Sequence, residues 1–337
     1  MSLKTSVETA IDALVTKIND GEDRDYSYLH PSEIGDCPRK IYYKTTGVKP
    51  LVPPAPQSLR IFGNGHFMHL RYQMYLRDAG ILAKEKVVSV DRGVYPLGMV
   101  DVERVVVDGA TGRRYHYSPE EWVWLDAPPD GNTPYVGGML WPNMVRASDL
   151  KPDDEVWMVE VPLFNPEYHF GGHADAIVRT PHGAAVIDFK STNENSFAYL
   201  FHDEMRIEEY HLKYPDKHFQ TCHICGDTIR RWKDYVDHLV EQHMNHITID
   251  PKHRTQLNVY MWLLGLEQGV LLHENKNTQL MICIPVPKDE SLIGKIKSEA
   301  VDIWRRVEAG GPPPDQPYSS RSKFPCAWCD FVSHCWS

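Results

Sequence analysis

No apolar run in this 337-residue sequence reaches the roughly 18 residues that a membrane-spanning helix requires. The N-terminal stretch MSLKTSVETAIDALV does not join a continuous apolar segment to a small-residue cleavage site, so no secretory leader is expected. Glycine and proline, at 22 and 25 residues, fall well short of the roughly one-quarter share that marks low-complexity chains. No internal repeat is visible. Positive charge is also scarce: 36 Lys and Arg stand against 46 Asp and Glu, for a net charge of −10. That excludes a protein that coats nucleic acid by bulk electrostatics, although a locally basic groove remains compatible. The length suits one large α/β domain with insertions or two average domains.

Seven cysteines are present. An odd count with uneven spacing does not suit a secreted disulfide framework, and close Cys-x-x-Cys pairs point to metals instead. Cys222 and Cys225 form one pair, Cys326, Cys329 and Cys335 crowd the C-terminal segment, and Cys37 and Cys283 stand apart.

Residues 3–19 place Val7, Ile11, Leu14, Val15 and Ile18 at helical spacing. A second helix is expected after Pro31-Ser32, carrying Cys37, Ile41 and Tyr42, and a third over 58–78. From Ile81 the chain turns β-rich, through KVVSV, ERVVVD, EVWMVEVPLF, HADAIVRT and AAVIDFKST. Helical segments follow at about 196–210, 254–268 and 290–308, the last two flanking the strand QLMICIPVP, in which Cys283 reads as a small core residue. The order suits an α/β fold with metal-binding additions.

The central chemical signal is Asp175, followed thirteen residues later by Asp188-Phe189-Lys190. On a strand, Asp188 and Lys190 project from one face. A hairpin around Pro181-His182-Gly183 would bring Asp175 beside Asp188, and two carboxylates that close need a cation or a proton. Oxygen ligands suit Mg²⁺ or Mn²⁺, which activate water and stabilise charge on a phosphodiester. An isolated Asp-x-Lys says little, but here Gly65-x-x-x-His69 precedes it and Gln256-x-x-x-Tyr260 follows it.

The ordered runs GNGHFMH, GGHAD, VIDFKST and QLNVY resemble the RecB-like branch of the PD-(D/E)XK nuclease superfamily. The resemblance spans about residues 30 to 337, leaving out an insert at 200–247. It implies a restriction-endonuclease-like α/β core sheet flanked by helices, and metal-dependent hydrolysis of DNA, by preference at single-stranded ends. By the same resemblance His69, Asp175, Asp188 and the Phe189 carbonyl would bind the catalytic Mn²⁺ or Mg²⁺. Lys190 would be the catalytic lysine, and Gln256 and Tyr260 would hold DNA. Glu160 matches an acidic position of some members, and His173, on the Asp175 face of its strand, is a supporting candidate.

Cys326-x2-Cys329-x5-Cys335 supplies three thiolates and needs a fourth ligand. CRISPR-associated and AddB-type members of the superfamily carry one cysteine before the core and three after it, holding a 4Fe–4S cluster. The first-cysteine motif is matched here by Cys37, Arg39, Lys40, Tyr42 and Tyr43. The alternative is a zinc site that uses His334. Separately, Cys222-x2-Cys225-x12-His238-x4-His243 has zinc-finger spacing, with Ile229 and Tyr235 at its internal apolar positions. Its basic residues Arg230, Arg231 and Lys233 are offset by Asp234, Asp237 and Glu241, which favours a structural Zn²⁺ over a DNA-reading finger.

The expected organisation is a helical region (1–80), a core sheet (81–210), an inserted finger (211–250), the rest of the core (251–310) and an iron–sulfur segment (311–337). The expected role is DNA recombination, repair or processing in a bacterial cytoplasm, or in host cytoplasm if phage-encoded, with DNA and a DNA-processing protein as partners. A flap-cleaving or other endonuclease and a non-catalytic DNA-binding scaffold are the alternatives.

Overall fold

The computed structural model describes residues 3–20, 26–50, 54–89, 93–94, 101–102, 104–107, 113–127, 134–136, 139–200, 220–222, 224–229, 234, 238–239, 241–243, 247–323 and 325–336. The expected helix beyond residue 200, and Arg230, Arg231, Lys233, Tyr235 and Asp237 of the finger, lie outside these residues.

Proline sets the starts of three helices, because the first helical turn has N–H groups without intrahelical partners. They are α2 (Pro38–Thr45), α3 (Pro56–Asp78) and α5 (Pro251–Leu264). The first of these corrects the sequence reading. Residues 30–36 form turns closed by Glu33 N–H to His30 O (2.9 Å) and Asp36 N–H to Glu33 O (3.0 Å). Cys37 caps the helix instead of lying inside it, since a residue before proline is driven to extended backbone, here φ −58° and ψ 123°. The N-terminal helix α1 (Leu3–Asp20) packs on α3.

The β-rich stretch divides between two sheets. Strands at Lys84–Ser89, Arg104–Val107, Arg114–Tyr117, Trp122–Leu125, Asn143–Arg146 and Glu155–Trp157 form an antiparallel six-stranded accessory sheet. The second sheet has five strands in the order β1 (Val159–Asn165), β2 (Phe170–Thr180), β3 (Gly183–Thr192), β4 (Gln268–Asn275) and β5 (Met281–Pro287). The hairpin foreseen around Pro181-His182-Gly183 forms, with Thr180 paired to Gly183 and Ala176 to Ile187.

Strand β4 begins at Gln268, where the sequence pattern predicts the end of a helix over 254–268. Helix α5 ends at Leu264, where Gly265 takes a left-handed φ of 54° and Leu266 N–H closes on Met261 O at 2.8 Å. The chain then runs parallel to β3, with Lys190 opposite His273. The crossover between the two parallel strands holds α4 (Glu194–Tyr199), a short strand pair at Gln220–Thr221 and Thr228–Ile229, and α5.

Helix α3 covers one face of this sheet, packing Met68 and Tyr72 on Ala176, Ile187 and Phe189. Helix α5 covers the other, packing Leu257 and Tyr260 with Ile177, Val186 and Leu271. The approach is tight at Gly269, where an added Cβ would lie 2.7 Å from Leu257. Helix α6 (Glu290–Glu308) is capped by Asp289, which accepts from Leu292 N–H at 3.0 Å, and buries Ile293, Ile296, Ala300 and Ile303 at helical spacing. Strand β5 is an edge strand that alternates exposed and buried residues, so Cys283 is exposed and not in the core as the apolar run suggested. Among the described residues no helix is long and apolar enough to cross a membrane.

Candidate active site and metal centres

The register of the five-stranded sheet lines up three carboxylates. Asp175 continues the β2–β3 pairing one step past Ala176–Ile187, which sets it opposite Asp188. Glu160 falls between the pairs Val159–Ala176 and Val161–Ala174, opposite the same Asp175. Glu160, Asp175 and Asp188 therefore form one row across three strands, with Asp175 and Asp188 on the face that Ile177 and Val186 turn toward α5. Glu160 adopts a left-handed φ of 44°, a conformation that costs a non-glycine residue about 1–3 kcal/mol and recurs at functional sites. From α3, His69 Nδ1 comes within 3.6 Å of Asp175 Oδ2. Ligand atoms of His69, Glu160 and Asp175 all lie within 4.8 Å of one another.

Asp188 is turned toward a different partner. Its Oδ1 accepts from Lys190 Nζ at 3.0 Å, and its Oδ2, 2.8 Å from the same nitrogen, is buried without hydrogen-bond geometry to any donor. Lys190 Nζ also donates to Gln256 Oε1 (2.8 Å), and Gln256 Nε2 donates to the Tyr260 hydroxyl (2.7 Å). One helical turn of α5 thus fixes the lysine that β3 presents. Asp175 Oδ2 accepts from Phe189 N–H at 2.7 Å. The Phe189 carbonyl faces the His69 imidazole, whose ring stands 5.4 Å from the Phe189 ring.

The electrostatics are those of a site short of positive charge. Burial, then the neighbouring Asp188 and Glu160, raises the Asp175 pKa well above the carboxylate range. Burial also raises that of Asp188, against the pull of Lys190. Glu160 is exposed by surface area, yet protein atoms crowd its carboxylate and desolvation raises its pKa as well. Burial pulls His69 down to about 4, which keeps the imidazole neutral and able to act as a ligand. Tyr260 is pushed up by burial and by Asp175 and Asp188.

Several neighbours escaped the sequence reading. Gln73 Nε2 donates to Glu160 Oε1 (2.8 Å) and to the Asp175 carbonyl (2.9 Å). Its signal was present: it lies four residues after His69, on the same helix face. Buried His273 adjoins Lys190 across the parallel pair, and its ring stands 5.6 Å from that of His253. Burial, followed by the charge of neighbouring groups, depresses these imidazoles to about 3 and about 4. His173 does not join the metal-ligand group. Its Nε2 lies 2.9 Å from Glu121 Oε1, tying β2 to the accessory sheet, and that carboxylate outweighs burial to raise the His173 pKa.

The finger quartet is gathered. Ligand atoms of Cys222, Cys225, His238 and His243 lie within 4.8 Å of one another, with Cys225 Sγ 3.4 Å from His238 Nε2. The two cysteines sit on a turn between short strands at Gln220–Thr221 and Thr228–Ile229, closed by Gly226 N–H to Cys222 O at 2.7 Å.

Helix α2 and the C-terminal segment also meet. Tyr43 of α2 stacks on Phe331 at 6.0 Å, and its hydroxyl donates to His334 O at 3.0 Å. The Tyr42 hydroxyl donates to Gly311 O at 2.7 Å. Cys37 caps α2, Cys326 begins a short 3-10 turn, and Cys335 ends α7 (Val332–Cys335). Burial raises the Cys335 thiol pKa. This set is not among those whose ligand atoms close within 4.8 Å.

No family model and no curated protein sequence matches the chain. A solved structure described as SSO0001 aligns over 98% of this chain and 96% of its own, at 12% identity and a TM-score of 0.38. An alkaline exonuclease from Laribacter hongkongensis aligns over 45% of this chain and 57% of its own, at 12% identity and a TM-score of 0.25. The same exonuclease in complex with dAMP aligns over the same shares at a TM-score of 0.26. Likenesses this weak bear no weight for function, which has to be read from the site itself.

Proposed function

We propose that the chain is a metal-dependent deoxyribonuclease that hydrolyses phosphodiester bonds, acting as an exonuclease on single-stranded DNA ends. The observation that carries this reading is the row Glu160–Asp175–Asp188, flanked by His69 and by a lysine locked between Asp188 and Gln256. Three carboxylates in one partly buried row repel one another unless a cation or protons intervene. One carboxylate oxygen each from Glu160 and Asp175, the neutral His69 imidazole and the buried Asp188 Oδ2 beside them form a donor set suited to Mn²⁺ or Mg²⁺. A divalent cation held there would supply Lewis-acid polarisation of the phosphodiester and ready ionisation of water.

The protein's own groups do the rest. An ammonium has three donors, and Lys190 commits its charge to Asp188 and one donor to Gln256. With 16% of its side chain exposed, it keeps a donor for a non-bridging phosphate oxygen, where negative charge develops. Gln73 engages Glu160 Oε1, which leaves Oε2 to accept a proton from the attacking water. Gln256 and Tyr260 orient the lysine, and the strand of DNA is read as lying along this edge of α5.

The metal centres outside the site are read as structural. Zinc–sulfur bonds of about 2.3 Å place tetrahedral ligands under about 4 Å apart, which suits the compact finger quartet. Cys37, Cys326, Cys329 and Cys335 are read as the ligands of a 4Fe–4S cluster, a reading supported by the packing of α2, which Cys37 caps, on the C-terminal segment that carries the other three.

The test is incubation of 5′- and 3′-end-labelled single- and double-stranded DNA with Mn²⁺, beside a circular single strand. Mononucleotides or short oligomers released from linear DNA, with the circle intact, are expected. Cleavage of the circle would establish an endonuclease instead, and no cation-dependent cleavage of any substrate would overturn the reading.

A further inference from the structure

Three buried side-chain atoms able to donate, Arg39 Nε, Ser333 Oγ and Trp336 Nε1, find no hydrogen-bond partner among the described residues. All three belong to the segments that carry Cys37 and Cys335. A buried donor without an acceptor costs more than a typical hydrogen bond contributes, so such atoms are normally satisfied. Three on the two segments that carry Cys37 and Cys335 point to an acceptor that the polypeptide itself does not supply. Sulfur surrounded by thiolates is such an acceptor.

Arg39 stands out among them. Its NH2 group donates to the Tyr43 hydroxyl at 3.1 Å, and its guanidinium carbon lies 5.9 Å from the centre of that ring. It lies in the first turn of the helix that Cys37 caps, its partner Tyr43 donates to the carbonyl of His334, the residue before Cys335, and it forms no ion pair with a carboxylate among the described residues. Lys40, the other cation beside the sulfurs, is already engaged by Asp36 at 3.1 Å. Gln316 Nε2 donates directly to Cys335 Sγ at 3.3 Å.

We propose that Arg39 and Gln316 donate hydrogen bonds to the sulfurs of the cluster held by Cys37, Cys326, Cys329 and Cys335, and thereby set its reduction potential. This rests on the cluster reading given above. Four thiolates give the centre a negative charge, and a one-electron reduction adds to it. Donors aimed at sulfur, and a cation with no competing carboxylate, stabilise the reduced form more than the oxidised form and raise the potential.

The experiment is a dye-mediated reductive titration of the anaerobically purified full chain, followed by absorbance near 400 nm and by paramagnetic resonance, with iron and acid-labile sulfide measured on each sample. Arg39→Met and Gln316→Met should each shift the oxidised-to-reduced equilibrium about tenfold toward oxidised, which is about 59 mV more negative for one electron. Arg39→Lys keeps the charge but loses Nε–H, and should fall between parent and Arg39→Met. A merely structural Arg39 would lower iron content and leave the midpoint of the remaining cluster where it was.

Because a variant can shed its iron, the parent is also measured by resonance Raman in H₂O and D₂O, where exchangeable N–H···S bonds shift the iron–sulfur stretching bands. Unmoved midpoints in iron-loaded variants, or parental bands indifferent to D₂O, overturn this proposal and leave the cluster standing. A parent that carries zinc and no iron overturns the cluster itself.

Discussion

Cation binding should be visible as stability before any DNA is added. If Glu160, Asp175 and Asp188 share a divalent cation, the native state binds it and the unfolded chain does not. At a free concentration of 100 times Kd, the gain is about 2.7 kcal/mol. Unfolding entropy is about 2.1 cal/mol/K per residue, or about 0.7 kcal/mol/K for 337 residues, so Tm should rise by about 4 °C. Asp188→Asn keeps the shape and an acceptor for Lys190 while removing one carboxylate of the row. A 100-fold weaker site leaves only about 0.4 kcal/mol at the same cation concentration, a shift under about 1 °C. The assay is differential scanning fluorimetry of parent and variant across a Mn²⁺ series, repeated with Mg²⁺. A Tm indifferent to both cations, or a variant that responds as the parent does, would refute the shared-cation account of the row.

Acid should act partly through His273, which is 1% exposed and whose pKa burial, with His253 and Lys190 nearby, lowers to about 3. Unfolded, it takes a proton near 6.5, so between those values the unfolded chain binds more protons and stability falls as pH falls; by pH 4 this amounts to about 3 kcal/mol. His273→Leu should flatten the Tm decline between pH 7 and 4, and an unchanged slope would show the imidazole already charged in the native state. Gly269→Ala drives a methyl group to 2.7 Å from fully buried Leu257 and should cost about 1–3 kcal/mol of unfolding free energy by urea denaturation, whereas a loss under about 0.5 kcal/mol would mean that α5 yields freely. Cys225→Ser should release one equivalent of zinc and melt the finger while cleavage of a short single strand survives; loss of both together would tie the finger to the core.

Much of the site was legible because strand chemistry is local. Asp188 and Lys190 share a face by the two-residue period, and the turn at Pro181-His182-Gly183 fixes which residue faces Asp175. Gln256 and Tyr260 meet because a helix turn joins i and i+4. Glu160 was harder to place, since its position opposite Asp175 depends on a second, non-turn pairing that no short motif encodes. The parallel strand β4 was hidden by reading the α5 pattern through Gly265, although a glycine after an apolar helix is itself the signal to stop. Cys283 misled for a related reason: MICIPVP is apolar on both faces, and only its place at the sheet edge exposes one of them. The division of the β-rich stretch into two sheets depends on long-range pairing such as Lys84 with Trp157, which periodicity alone does not give.

The most direct test of the nuclease reading is Lys190→Met, which keeps the length of the side chain and removes the ammonium. The measurement is single-turnover cleavage of end-labelled single-stranded DNA in Mn²⁺, beside Kd for the same strand in Ca²⁺. Cleavage should fall by about 10²-fold or more, as when one preorganised charge donor is removed from an active site, with Kd within about threefold of the parent. Parental cleavage by the purified variant would contradict the account and take Lys190 out of the chemistry.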